Sequence, residues 1–290
     1  MRVCLMIEGQ EDVGWEQWLA LAAAAEAAGL DALFRSDHYL GIWRGRRAGG
    51  LDAWATLAAL AARTERLRLG TLVSPVTFRP ASVLAKNAVT VDHVSGGRVE
   101  LGIGAGWYEE EHRLYGFPFP PPARRLDLLE QQLAELDRQW APGSEHRPKP
   151  LQRPRPPIVV GGGAKPRSAR IAAAYADEYN TFGVSVAEAR ERRAAVDRAA
   201  AEAGRPPLRF SVMLTCVAGR DDADLERRLE AYRRVTGGPT PPHLAGTVDQ
   251  VVARLREYED AGAERAMLQH LHHEDVEMVE LLGEIAAALR

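Results

Sequence analysis

A strand–helix–strand unit between Leu67 and Trp107 places the narrowest limits on how this chain folds. Leu67, Leu69, Leu72 and Val73 form a short apolar run that starts directly after Thr64-Glu65-Arg66. Such a run suits a strand buried on both faces, although periodicity alone leaves a buried helix open. Pro80 opens a helix at a position where the missing N–H costs nothing. Val83, Leu84, Ala88, Val91 and Val94 then repeat at helical spacing, which predicts one buried face. Gly96-Gly97 ends the helix with residues that accept positive φ. Val99, Leu101 and Ile103 alternate in a second strand, and the whole reads as a parallel βαβ unit.

Two features of the unit point to chemistry. One is the small, polar segment Ser74-Pro75-Val76-Thr77, where the first strand should simply hand over to its helix. The other is the glycine turn Gly102-Ile103-Gly104-Ala105-Gly106 at the carboxyl end of the next strand. Ligands of α/β folds sit at carboxyl ends of strands, and bare glycine backbone permits close approach. A tight strand-to-helix turn is the alternative reading of the same glycines.

The rest of the chain repeats the alternation. Strands are predicted around Val3–Ile7, 31–36, 158–160, 178–182, 208–218 and 265–269, with helices over 15–28, 51–63, 107–115, 125–140, 167–175, 186–203, 222–235, 247–261 and 276–289. Residues 141–157, rich in proline and charge, read as an exposed excursion. Eight strands alternating with helices, without a composition break over 290 residues, predict one domain spanning 1–290. The fold class is α/β: a single (β/α)8 TIM barrel with loop insertions at the carboxyl-end face.

Composition narrows the function. A net charge of −3 and scattered arginines (Arg44, Arg46 and Arg47; Arg124 and Arg125; Arg192 and Arg193) supply no stripe for nucleic acid. Cys4 and Cys216 sit in apolar runs and read as reduced core residues. No apolar run approaches the length of a membrane span, and the first residues enter a strand at once, so a cytoplasmic protein is expected.

Several motifs together resemble the bacterial luciferase-like flavin monooxygenase family, most closely its branch that uses the deazaflavin coenzyme F420. They are Ser36-Asp37-His38, Gly70-Thr71-Leu72-Val73 with Phe78-Arg79-Pro80, Ser95-Gly96-Gly97-Arg98, Leu101 to Trp107, Ile158 to Gly163, Ala176-Asp177 and Gly246-Thr247. The resemblance implies a flavin-type ring across the barrel mouth and a non-proline cis peptide at Leu72–Val73 supporting it. An ordinary trans bulge is the alternative, and Ser74–Pro75 is a second candidate for cis geometry.

His38 is expected to be catalytic, handling a proton or stabilising charge on the ring; a structural histidine is the alternative. Asp37 would fix the loop or meet the ring's polar edge. Leu72, Val73 and Ser74 would support the ring, and Gly104, Ala105 and Gly106 would pass near the cofactor tail. Gly161, Gly162 and Gly163, opening a helix with Lys165 and Arg167 nearby, suit a phosphate. Trp107 stands where sugar-phosphate dehydrogenases of the branch carry glutamate, which argues against their substrate. Glu109, Glu110 and Glu111 are assigned to helix N-terminal electrostatics. No metal is expected: His112 with those acids, and His270, His272 and His273, lack clean ligand spacing; His270 can still line the mouth.

The expected function is hydride transfer between F420 and a small organic substrate. The alternatives are an FMN-dependent monooxygenase using O2 and a non-catalytic flavin-binding barrel. Expected partners are a second copy in a homodimer and a flavin or F420 reductase as electron source, with neither nucleic acid nor membrane.

Overall fold

The computed structural model describes residues 1–44 and 47–290. Arg46 of the first arginine patch lies outside them. Ten strands run β1 (Arg2–Ile7), β2 (Ala32–Arg35), β3 (Arg68–Thr71), β4 (Ser74–Pro75), β5 (Val99–Gly104), β6 (Ile158–Gly161), β7 (Glu178–Phe182), β8 (Arg209–Gly219), β9 (Leu244–Thr247) and β10 (Arg265–His270). Eight of them pair in parallel in the order β1-β2-β3-β5-β6-β7-β8-β10, and β10 returns to β1. This is a closed (β/α)8 barrel.

The helices between the strands are α1 (Trp15–Ala27), α2 (Ala53–Ala61), α3 (Ala81–Val94), α6 (Pro166–Tyr175), α7 (Val186–Glu202), α8 (Asp222–Thr236), α9 (Val248–Asp260) and α10 (Glu277–Ala288). Two more, α4 (Glu109–Tyr115) and α5 (Pro122–Trp140), follow β5.

Strand alternation divides the core in two. Val3, Leu5 and Ile7 face outward into the large cluster shared with the helices, whereas Cys4 and Met6 join Ala32, Phe34, Leu72, Val159 and Met267 inside the barrel. Both cysteines are free and buried.

The amino-terminal floor of the barrel is ionic. Arg265, fully buried, bonds Glu100 (2.8 Å), Glu178 (2.9 Å) and Asp31 (3.0 Å). Arg68 and Arg209 add further pairs to Glu100 and Glu178. Here burial pushes the Cys4 thiol up to about 12, against the pull of Arg265.

The third strand breaks after Thr71 and resumes as the two-residue β4 on β5, so Leu72 and Val73 form the bulge that the family resemblance implies. Two details differ from the sequence reading. The overlong β8 carries the additional strand β9 beyond the barrel; its four residues Leu-Ala-Gly-Thr offer no apolar run to reveal it. Val83 and Val94 face solvent rather than sharing the buried face of Leu84, Ala88 and Val91. Residues 141–157 form the largely exposed excursion that the sequence predicts, anchored at points: the Asp92 carboxylate accepts from Leu151 N–H and Gln152 N–H, and the Lys86 ammonium donates to the Arg147 carbonyl.

Candidate active site at the barrel mouth

Strand β2 delivers Ser36-Asp37-His38 to the carboxyl end of the barrel, where α4 brings Glu111 against them. His38 Nδ1–H donates to Glu111 Oε1 at 2.7 Å, and Tyr39 N–H donates to Glu111 Oε2 at 3.0 Å. Glu111 is fully buried, while the His38 side chain keeps 12% of its surface exposed. With Nδ1 engaged, Nε2 is the ring nitrogen left for chemistry. Burial is the largest influence on His38 and depresses its pKa. The Glu111 hydrogen bond and the charges of Glu111, Glu8 and Asp37 outweigh it, so the net shift is upward.

Trp107 stands beside this pair. Its ring stacks on Tyr108 (5.2 Å, 18°) and meets His38 edge-on at 5.7 Å, yet it is 61% exposed. A large apolar ring so open at a barrel mouth offers a surface for a planar molecule.

Asp37 is bound into the scaffold. Its Oδ2 accepts from Ser74 Oγ (2.6 Å) and Arg79 Nη1 (2.6 Å), and Ser74 Oγ in turn accepts from Trp54 Nε1 (3.0 Å). The second Arg79 nitrogen reaches Asp52, the N-cap of α2. Asp37 and Ser74 thus lock the His38 loop to the bulge.

In the bulge the Leu72–Val73 peptide is cis, while Ser74–Pro75 is not among the cis bonds of the described residues. The neighbouring glycines explain themselves by space. A Cβ on Gly104 would lie 2.6 Å from Val73 Cγ2, one on Gly161 would lie 3.0 Å from Val73 Cγ1, and one on Gly102 would meet the Thr71 carbonyl. The glycine turn is therefore needed first to seat Val73. Ala105 and Gly106 continue toward Trp107, with Gly106 at φ 79°.

Of the three glycine N–H groups after β6, that of Gly162 donates to the Asn180 carbonyl (3.0 Å). Tyr179 Oη accepts from the next amide, Ala164 N–H, at 2.7 Å. Gly162 and Gly163 lie exposed at the amino end of α6, capped by exposed Lys165. Arg167 is turned away, donating to the Ala123 carbonyl and Asp127 on α5.

Arg192 of α7, which the sequence reading counted only among the scattered arginines, has its Nη1 4.0 Å from where a Gly163 Cβ would sit. It has no carboxylate at ion-pair distance among the described residues. Its Nη1 donates to Thr181 Oγ1, and its charge is left without a counter-ion among the described residues; exposed backbone, a helix N-terminus and such a guanidinium are a donor set that fits a phosphate.

Across the mouth, Glu8 at the end of β1 accepts from Gln10 Nε2 and Gln269 Nε2, Gln269 Oε1 accepts from Thr215 Oγ1 (2.7 Å), and Thr215 contacts His243. His270 is buried with Nε2 on the Asp275 carbonyl at 3.0 Å, so it does not open onto the mouth. Burial takes His270 down to about 4 and His273 to about 3. No group of three or more His, Cys, Asp or Glu among the described residues could hold a metal ion. No helix of the described residues is long and apolar enough to cross a membrane.

A cavity of about 870 Å³ opens at the opposite end, by the N-terminus and Gly262. Its charges are paired with one another, Met1 with Glu259 and Arg193 with Asp197. The chemistry-bearing residues are at the mouth.

Glu111, Arg79, Glu8 and Arg192 were not legible as site residues. Glu111 is one of three consecutive acids, and no periodicity says which one turns inward.

A sequence model of the luciferase-like monooxygenases matches residues 3–243. Pyrimidine monooxygenase RutA of Allorhizobium ampelinum is 30% identical over 203 residues, 64% of this chain and 54% of that protein. An F420-dependent glucose-6-phosphate dehydrogenase of Amycolatopsis mediterranei is 36% identical over 134 residues, 45% of this chain and 39% of that protein. The chain spans about half the length of the curated relatives it matches, or less. Among solved structures, an F420-dependent secondary alcohol dehydrogenase in complex with an F420-acetone adduct superposes with a TM-score of 0.83 at 17% identity, covering 100% of this chain and 99% of that one.

Proposed function

The chain belongs to the luciferase-like monooxygenase family, and from that premise we propose that it is an oxidoreductase transferring a hydride between coenzyme F420 and a small organic substrate. The observation that carries this reading is the His38–Glu111 pair at the mouth, beside the Leu72–Val73 bulge. When bound, the deazaflavin supplies two-electron hydride chemistry.

The residues of the chain do the rest. Val73, seated on Gly104 and Gly161, presents an apolar shelf in the barrel throat. Gly163 N–H, Lys165 and Arg192 would bind the phosphate, Gly162 leaving room for it to approach while its own N–H stays on Asn180, and Trp107 would cover the ring and exclude water. Glu111 holds His38 so that Nε2 carries the mobile proton. The raised pKa keeps that proton on the ring further up the pH scale, which suits donation to a substrate oxygen as its carbon accepts hydride. Trp107 in place of an acid argues for a substrate other than a sugar phosphate.

The match to RutA, which extends over more of the chain than the match to the dehydrogenase, favours a second reading: an FMN-dependent monooxygenase using reduced flavin and O2. Either enzyme would draw electrons through a separate reductase, and we read the working form as a cytoplasmic homodimer. Light scattering tests the dimer, and a clean monomer at working concentration would refute it.

The cofactor is tested by titrating the purified protein with F420 and with FMN, followed by absorbance and fluorescence. Tighter F420 binding is expected; binding of FMN alone would move the assignment to the second reading, and binding of neither would end both. In Gly162→Val the new side chain collides with Tyr179 Oη, 2.7 Å from the Cβ position. Cofactor affinity should fall strongly in a variant whose circular dichroism is unchanged. Full affinity would remove the phosphate assignment.

A further inference from the structure

Histidine 243 lies just ahead of β9, outside every motif of the sequence reading. The backbone N–H of Thr215 donates to its Nδ1 at 3.1 Å, and the Thr215 hydroxyl, 3.1 Å from the same nitrogen, already donates to Gln269. Nδ1 is therefore an acceptor, and the ring proton resides on Nε2. The ring is fixed from two further sides. It meets Phe182 edge-on at 5.3 Å, and its Nε2 lies 2.9 Å from where a Cβ on Gly183 would sit, so only glycine leaves it room. Nε2 has no partner among the described residues, and both His243 and Phe182 are exposed. Burial of part of the ring lowers its pKa, so it stays neutral where His38 is charged.

Barrel order sets the location. Four steps around the eight-stranded barrel separate β2 from β7, so His38 and Phe182 sit on opposite walls of one mouth. Phe182 follows Glu178 and Asn180 on the inward-facing positions of β7. No carboxylate or cation lies within ion-pair distance of His243 among the described residues. The wall opposite His38 thus holds one oriented neutral donor beside one open aromatic ring.

We propose that His243 Nε2–H donates a hydrogen bond to a carbonyl or hydroxyl oxygen of the organic substrate, that Phe182 packs against its apolar body, and that the substrate class is an uncharged oxygen-bearing molecule. This deepens the oxidoreductase reading and rests on it. The donor would hold the substrate across the mouth from His38.

The test uses long-range ¹H–¹⁵N spectra of the histidine rings in the intact protein. Cyclohexanone serves as the uncharged carbonyl probe and cyclohexanecarboxylate as its charged counterpart. His243 should show the Nε2–H tautomer, cyclohexanone should shift its Nε2, and the carboxylate should not. His243→Ala should weaken cyclohexanone binding by about tenfold, the scale of one lost hydrogen bond, with circular dichroism unchanged, and His243→Gln should restore part of it. An Nδ1–H tautomer, equal binding in His243→Ala, absence of cyclohexanone binding or preference for the carboxylate would each overturn the proposal. Failure of the parent reading shows separately, as failure of F420 and FMN to bind.

Discussion

The two ends of this barrel are both charged and both buried, and they are built on opposite plans. At the floor, Arg265 sits among Glu100, Glu178 and Asp31, with Arg68 and Arg209 completing the pairs. These charges are spent chiefly on one another, with Arg68 also donating to Gln152 and Arg265 to the Cys4 sulfur. At the mouth, Glu111 holds His38 by one nitrogen and Asp37 is held by Ser74 and Arg79, so each fixed group orients another that has an unused valence. Burial and charge are common to both ends. What separates a plug from a site is whether the network ends in a group turned toward open space.

The sharpest way to break the comparison is to remove the hub of the floor. Arg265→Met leaves Glu100 and Glu178 buried without their shared cation, a class of change that costs about 3–5 kcal/mol. Urea denaturation should show that loss while cofactor affinity per folded molecule is kept. A variant of wild-type stability would mean that the floor is not a structural plug.

The complementary change at the mouth should do the reverse. His38→Ala should lower turnover by roughly 10²–10⁴-fold with little change in denaturation midpoint and a smaller change in cofactor affinity. Stopped-flow reduction and a binding titration on the same variant separate the two. Equal, small losses in both would make His38 a packing residue, and wild-type turnover would end its catalytic assignment.

Glu111→Gln sharpens the role of the orienting group. Burial persists while the counter-charge is gone, so the His38 pKa should drop below its ordinary value near 6.5. An NMR titration of His38 reads this directly, and an unmoved pKa would show that Glu111 does not tune it.

Protons distinguish the mouth from the end of β10 and the loop that follows it as well. The raised pKa of His38 makes its contribution to stability complete below about pH 6.5 and lost as pH rises through the raised value. His270 and His273, depressed to about 4 and 3, contribute fully above about 6.5 and lose that contribution as pH falls toward those values. Urea midpoints measured from pH 7 to 5 should therefore decline, and decline less in His273→Gln. A flat profile in the parent protein would contradict the buried neutral histidines.

The smallest effect belongs to the rim. Asp52→Ala removes the N-cap of α2 and the more exposed of the two Arg79 partners. A loss of about 1 kcal/mol is expected, with His38 chemistry intact because Arg79 still holds Asp37. A large fall in turnover would show that Asp52 acts through Arg79 on the site.

Much of the architecture is local information. Continuous apolar runs marked the barrel strands, glycines and prolines marked their ends, and eight repeats of the alternation left a closed barrel as the natural solution. The family motifs placed Asp37-His38, the bulge and the glycine turns in order along the chain.

What the sequence could not decide is which polar residues meet. Glu111 and His38 are 73 positions apart, and the choice among three adjacent acids depends on the angle at which α4 docks. Arg265 and Glu100 are separated by 165 positions, and only closure of the barrel makes them neighbours. Gly104 and Gly161 reveal their reason only when Val73 is seated on both. Strand and helix follow from backbone periods a few residues long, whereas a site is a set of distances across the barrel, and tertiary packing alone sets those.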